Sequence, residues 1–117
     1  MSRPWIIRLT RAAEDDFQQI IRWTAANFGR RQAGTYARTL ATAIEALRGG
    51  PNIVGARPRE EIGPGIHTLH VARRGRRGRH FVVFRASRTE QFIDVLRLLH
   101  DGMDLQQHLP PETPPEK

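Results

Sequence analysis

Apolar residues recur at helical spacing in the first part of this chain. After Arg11 they are Ala13, Phe17, Ile20, Ile21, Thr24 and Phe28. Thr10 precedes them as a candidate N-cap, and Gly29 stands where helices commonly end. The pattern predicts an amphipathic helix over 11–28, with a short strand at 5–10 leading into it.

A second helical stripe follows almost at once. Its positions are Ala33, Tyr36, Ala37, Leu40, Ile44 and Leu47, and Gly49, Gly50 and Pro51 end it. The short join at Gly29 predicts that helices 11–28 and 30–48 form an antiparallel hairpin. Residues 51–65 are rich in Gly, Pro and charge, which indicates a linker.

The period then changes to that of β-strands, over residues 66–73, 80–86 and 91–100. Because the third run is almost continuously apolar, we expect it to be a central strand. The order β-α-α-β-β-β predicts a two-layer α+β fold, with the helical hairpin packed on a four-stranded, mainly antiparallel sheet. We expect one domain over 1–109 that ends in a short helix at 101–109, and a disordered Pro-rich tail at 110–117.

Charge adds a partner class to this picture. The 117 residues carry 19 Lys+Arg against 12 Asp+Glu, a net charge of +7, and Lys117 is the only lysine. Arginine suits bidentate contact with phosphate or carboxylate, so the surface favours a polyanionic partner such as DNA, RNA or an acidic protein segment. A GC-rich genome that writes Arg in place of Lys is the alternative source of this bias.

Several classes of site are excluded or unsupported. The chain has no cysteine, which excludes disulfides and thiolate chemistry and fits a reducing compartment. It has no apolar run long enough for a signal peptide or a membrane span, so we expect a cytoplasmic protein without membrane contact. His67 and His70 would lie on opposite faces of a strand, and the glycines and serines match no nucleotide-binding or hydrolase motif. We therefore predict neither a metal nor a cofactor.

Residues 73–79, hereafter the basic turn, hold five arginines in seven residues. They are Arg73, Arg74, Arg76, Arg77 and Arg79. At the tip of a hairpin they could contact DNA phosphates, RNA or an acidic protein. The alternative is a mobile, solvated turn. The basic turn also lacks the aromatic residues that stack on single-stranded bases.

The ordered segments IIRLTRAAEDDFQQIIRWTAANFG, RQAGTYARTLATAIEALRGGPNIVG, GIHTLHVA, HFVVFRA and FIDVLRLLHDGMDLQQHL together resemble the ParE/RelE toxin superfamily, and the ParE branch in particular. The resemblance implies a toxin of a type II toxin–antitoxin system that a cognate antitoxin neutralises. In the ParE branch the implied target is DNA gyrase, stalled on cleaved DNA. The basic turn is longer and more arginine-rich than is usual in the family, and the tail is an addition.

The resemblance also leaves alternatives open. One is a metal-independent mRNA endonuclease of the RelE type, for which the candidate catalytic residues are His100, Arg85 and Arg97. In the other reading His100 is structural and Arg97 pairs with a carboxylate such as Asp94. A third possibility is a nontoxic arginine-rich adaptor that binds nucleic acid. For the gyrase poison, the expected target contacts are the basic turn and the closing segment, through Asp101, Met103, Asp104 and Leu105.

Overall fold

The computed structural model describes residues 3–103 and residue 105. Helices α1 (Arg11–Phe28) and α2 (Arg30–Ala46) form a hairpin, and a 3-10 turn at Leu47–Gly49 extends α2. Five strands form one sheet: β1 (Ile6–Leu9), β2 (Arg57–Pro58), β3 (Ile66–His70), β4 (His80–Ser87) and β5 (Phe92–His100). Their order is β1-β5-β4-β3-β2, with β1 parallel to β5 and every other pair antiparallel.

Both ends of α1 are built as the sequence predicts. The hydroxyl of Thr10 accepts a hydrogen bond from the N–H of Ala13 at 3.0 Å, which satisfies one of the free donors of the first turn. Gly29 has φ +93°, a conformation that glycine adopts without strain, and it is the single residue between the helices. The predicted helical hairpin is confirmed.

The sheet is covered on both faces. The helices pack on one face over the main core, formed by Ala13, Leu40, Ala43, Leu47, Leu69, Val71, Val82, Phe84, Ile93, Val95 and Leu98. The opposite face carries a smaller core of Ile66, Val83, Leu99 and Leu105, with Ile62, Phe81 and Leu96 at its rim. Strand β5 contributes to both cores, which explains its almost continuous apolar run and confirms that it lies inside the sheet.

The sheet has five strands rather than the four predicted. The added strand β2 is two residues long, and Arg57 and Pro58 pair with Thr68 and His67 of β3. A two-residue strand that includes a proline has no alternating pattern to detect.

The ends of two predicted elements also need correction or qualification. Strand β3 ends at His70 rather than at residue 73, because the N–H of Ala72 bonds the ring of His70 and the N–H of Arg73 bonds the carbonyl of Val71. In the predicted helix over 101–109, Asp101 and Gly102 form a turn. Asp104, residues 106–109 and the tail at 110–117 lie outside the described residues.

Candidate functional site

The basic turn reverses the chain between β3 and β4 with left-handed backbone at two successive residues. Arg74 has φ +53° and Gly75 has φ +82°, and the N–H of Arg76 donates to the carbonyl of Arg73 at 3.0 Å. Positive φ at both central positions is the signature of a type I′ turn. Glycine adopts this conformation freely, whereas Arg74 holds it at an energetic cost.

Two arginine side chains tie the basic turn to its surroundings. Arg73 donates through Nη2 to the carbonyl oxygen of Val54 at 3.0 Å. Arg76 donates through Nη1 to the hydroxyl of Thr39, a buried residue of α2, at 3.2 Å. These contacts count against the alternative of a loosely solvated turn.

Gly78 and Tyr36 hold the second half of the basic turn against α2. A Cβ atom at Gly78 would lie 2.4 Å from a methyl group of Val71 and 3.0 Å from the Tyr36 hydroxyl, so only glycine fits. The Tyr36 hydroxyl accepts a hydrogen bond from the N–H of Arg79 at 3.0 Å. The path of the basic turn is therefore set by packing on α2 as well as by its own hydrogen bonds.

Three histidines meet at the edge of the sheet beside the basic turn, because β3 and β5 end and β4 begins there. The rings of His80 and His100 contact edge to face with centroids 5.4 Å apart. His70 donates from Nε2 to Asp101 at 2.9 Å, since its Nδ1 accepts the N–H of Ala72. We call His70, His80, His100, Asp101 and Tyr36 the histidine cluster.

Hydrogen bonds fix the ring orientations within the histidine cluster. Nδ1 of His100 accepts the N–H of Gly102 at 2.9 Å, so it is unprotonated in this arrangement. Nδ1 of His80 lies 2.7 Å from the Tyr36 hydroxyl. Because that hydroxyl already accepts from Arg79, its own proton is available to the His80 ring.

Burial and neighbouring charges shift three pKa values in the histidine cluster. Burial above all, and then the charges of His100 and His70, lower the pKa of His80 to about 4. Burial raises the pKa of Tyr36. The hydrogen bond from His70, together with the nearby Arg79, lowers the pKa of Asp101. At neutral pH, His80 is therefore a neutral hydrogen-bonding group and Asp101 is a carboxylate.

The candidate nuclease residues do not come together. Arg97 forms a bidentate pair with Asp16 of α1, at 2.7 and 3.0 Å, which raises the pKa of the guanidinium. Arg85 lies on β4 five residues beyond His80, the strand partner of His100, or roughly 17 Å along the strand. Asp94, the alternative partner for Arg97, pairs with Arg8 instead.

The closing segment begins as an ordered turn on the histidine cluster. The N–H of Asp101 donates to the carbonyl of Arg79 at 2.8 Å, and that of Met103 donates to the carbonyl of His100 at 3.1 Å. Met103 is 41% exposed, whereas Leu105 is only 6% exposed and packs in the smaller core. Of the four contacts expected here, Asp101 pairs with His70 and Arg79, Met103 presents an apolar surface, Leu105 anchors the segment, and Asp104 lies outside the described residues.

Sequence reasoning missed three residues of this region: Tyr36, His80 and Asp16. Tyr36 stands in the apolar stripe of α2, and a phenol in such a stripe signals a buried hydroxyl that needs a partner. His80 and Asp16 carried no signal of their own, because their partners lie 44 and 81 residues away in sequence.

Two general features of the described residues bear on the site. Within residues 3–103 and at 105, no three His, Asp or Glu side chains are grouped as a metal site requires. Neither helix of this part of the chain has the apolar length that crossing a membrane demands.

Comparison with known proteins places these features in a family. The family model described as the ParE toxin of the type II toxin–antitoxin system parDE matches residues 7–105. Toxin ParE1 of Caulobacter vibrioides is 30% identical over 102 residues, which cover 87% of this chain and 95% of that protein. Toxin ParE1 of Mycobacterium tuberculosis is 34% identical over 101 residues, covering 86% and 94%.

A solved structure agrees on the fold. The chromosomal ParDE toxin–antitoxin system from P. aeruginosa contains a chain that superposes with a TM-score of 0.68 at 23% identity, covering 85% of this chain and 98% of that one. The family match spans both helices and all five strands. The chain belongs to the ParE toxin family and is the toxin component of a type II toxin–antitoxin system.

Proposed function

We propose that this ParE toxin acts in the cytoplasm by inhibiting DNA gyrase, and that a cognate antitoxin neutralises it. The observation that carries the proposal is the extent of the family match, which runs from residue 7 in β1 to Leu105 and so covers nearly all of the described scaffold. Gyrase is the target that membership of the ParE branch implies.

The geometry of the described residues counts against the competing nuclease. Cleavage of RNA without a metal needs a proton-transfer group and several cations around one phosphate. Arg97 is already bound to Asp16, and Arg85 lies far from His100 along the sheet. Of the other two imidazoles of the histidine cluster, that of His70 is bound to Asp101, and the pKa of about 4 makes His80 a weak general base at neutral pH.

A poison that acts by contact needs an exposed and well-ordered surface. The edge that carries the basic turn, His100 and Met103 has both properties, since its backbone is hydrogen-bonded and its side chains reach solvent. We assign the gyrase contact to this edge. In the alternative function, a nontoxic adaptor that binds nucleic acid, the basic turn is the same but no effect on gyrase is expected.

The antitoxin contact is assigned to the helical hairpin and the sheet. Trp23 and Phe28 of α1 are 60% and 65% exposed and contact each other edge to face, which leaves an apolar patch on the hairpin. A protein of net charge +7 favours an acidic partner. An amphipathic acidic segment would cover the apolar patch and meet arginines at its rim.

The test uses the purified full chain and the product of the adjacent reading frame. We expect the toxin to inhibit gyrase supercoiling, and the antitoxin to copurify with it, restore supercoiling and rescue growth on coexpression. Full supercoiling at excess toxin would reject the gyrase target. A neighbour that neither copurifies nor rescues growth would reject the antitoxin pairing.

A further inference from the structure

We infer that the basic turn is a binding site for the phosphate backbone of double-stranded DNA. The inference stands apart from the gyrase proposal, because binding to a short duplex is measured without gyrase. It depends on two observations. One is how the structure places the arginine side chains of the basic turn, and the other is the energetically unfavourable backbone conformation of one of these arginines.

The arginines of the basic turn are held mainly by neutral acceptors. Arg73 donates to a carbonyl and Arg76 to a hydroxyl, so both side chains are positioned while no carboxylate within residues 3–103 or at 105 neutralises their charges. Arg74 and Arg77 are exposed and form no ion pair with any described residue. Among the carboxylates of the described residues, only that of Asp101 pairs with the basic turn; it lies 3.3 Å from Arg79 and is shared with His70.

This arrangement differs from that of several arginines elsewhere in the described chain. Arg8, Arg59 and Arg97 each donate to a carboxylate at 2.7–2.8 Å. In those pairs the positive charge is neutralised within the protein. The basic turn instead carries four exposed guanidinium groups on one ordered loop, and three of them, those of Arg74, Arg76 and Arg77, meet no carboxylate of a described residue.

Arg74 adds an independent observation. It occupies the first central position of a type I′ turn, where φ is positive and where Asn, Asp or Gly is preferred. An arginine there costs stability that Asn or Gly would not, which points to a functional role for its side chain. Since Arg74 forms no ion pair with a described residue, the structure assigns that role to an external anion.

The features of the turn favour a duplex backbone over other polyanions. Guanidinium groups bind phosphate oxygens bidentately, and duplex DNA offers about one negative charge per 1.7 Å of its axis. Tyr36, which contacts the basic turn, is half-buried and its hydroxyl is engaged by Arg79 and His80, so its ring is not free to stack on unpaired bases. The contact is therefore with the backbone and independent of sequence.

The experiment measures binding of the full chain to a 20-base-pair DNA duplex by fluorescence anisotropy between 50 and 200 mM salt. With four arginines on phosphates, log K should fall against log salt with a slope of about −3 to −4. Arg74→Asn should weaken binding about fivefold and make the slope shallower by about 1. The same substitution should raise Tm by about 3 °C, because Asn adopts the positive φ of this position at a lower energetic cost than Arg does.

Arg88→Asn is the matched control. Arg88 is exposed in the β4–β5 turn, at the opposite end of the sheet, and its substitution removes the same charge. We expect it to change affinity by less than about twofold, as a distant charge does under screening.

Three results would overturn the inference. One is duplex binding weaker than about 10⁻⁴ M at 50 mM salt, below the ordinary range for nonspecific DNA binding. A second is an equal loss of affinity in Arg88→Asn, which would mean that net charge alone drives binding. The third is tighter binding to single-stranded RNA or to polyglutamate, each tested as a labelled probe of matched charge.

Discussion

Asp16 of α1 is hydrogen-bonded to β5, both to the side chain of Arg97 and to the backbone beside it. Its carboxylate accepts from Arg97 at 2.7 and 3.0 Å and from the N–H of Leu98 at 2.9 Å. This contact lies where β1 has ended, since the register of β1 stops at Val95. Asp16 therefore satisfies backbone that the parallel strand leaves unpaired, and it holds Arg97 in a structural role.

Replacing Asp16 should destabilise the fold. The carboxylate is 12% exposed and Arg97 is 27% exposed, so Asp16→Ala removes a largely desolvated acceptor from both a cation and an N–H. We expect a loss of about 2 kcal/mol in the free energy of unfolding, measured by urea denaturation. Asp15→Ala, on the exposed side of α1, should change it by less than about 0.5 kcal/mol. Equal effects would contradict this role for Asp16.

The fit of the basic turn on α2 predicts opposite effects for two glycines. Gly78→Ala should destabilise the protein by about 1–3 kcal/mol, because its methyl group would overlap Val71 and press on Tyr36. Gly34→Ala should stabilise it by up to about 1 kcal/mol, because this glycine lies within α2 and has open space around it. Thermal unfolding followed by circular dichroism measures both. A neutral Gly78→Ala would show that the turn is not held as described.

The histidine cluster predicts a pH dependence of stability with a definite sign. The pKa of His80 is about 4 in the folded protein and about 6.5 when unfolded, so between these values only the unfolded chain takes up the proton. Stability that is fully present above pH 6.5 should fall as the pH drops toward 4. The lowered pKa of Asp101 acts in the more acidic range, where that carboxylate becomes protonated.

His80→Asn isolates this contribution. An Asn oxygen can still accept the Tyr36 proton but does not titrate, so the Tm profile between pH 6.5 and 4 should flatten. His67→Asn, which removes an imidazole stacked on Phe84 outside the histidine cluster, is the control and should keep the slope of the parent protein. A parent-like slope in His80→Asn would show that another group causes the pH dependence.

The sequence was informative wherever one face of an element was buried. The periodicity around Phe17 and Leu40 and the continuous run through Val95 predicted both helices and the central strand, because burial dictates those patterns. The sequence pattern did not predict those parts of the structure that depend on single contacts between residues far apart in the chain. The strand at Arg57 and Pro58 and the end of β3 at His70 depend on individual hydrogen bonds that no period encodes.

The candidate site shows the same division. The arginines of the basic turn were identified from composition alone, since five cations in a short loop are visible in any sequence. Their anchoring by Thr39, Val54 and Tyr36 was not predictable, because those residues come from other elements. The candidate nuclease residues His100, Arg85 and Arg97 were taken from the resemblance to the RelE branch. Such a resemblance indicates residue types at given positions, but it does not show which partner each side chain binds.

Binding and catalysis can be separated at His100. A positioned proton-transfer group contributes about 10²-fold or more, so a nuclease should lose at least that much toxicity in His100→Ala. We expect a loss below tenfold in growth inhibition. Met103→Glu should reduce toxicity more than His100→Ala does, because it places a carboxylate at the exposed apolar position of the assigned contact edge. Both variants must retain the circular dichroism spectrum and antitoxin binding of the parent. A toxicity loss confined to His100→Ala would favour the nuclease.

The most direct test of gyrase poisoning is the state of the DNA after reaction with gyrase. Purified toxin, gyrase and supercoiled plasmid are incubated with ATP, trapped with detergent and treated with protease, and the linear product is quantified on a gel. In parallel, mRNA on purified ribosomes is assayed for cleavage by the same toxin preparation. Gyrase poisoning predicts that linear DNA accumulates with toxin concentration, that it is absent without gyrase, and that the mRNA stays intact. Unchanged DNA together with toxin-dependent mRNA cleavage would contradict it.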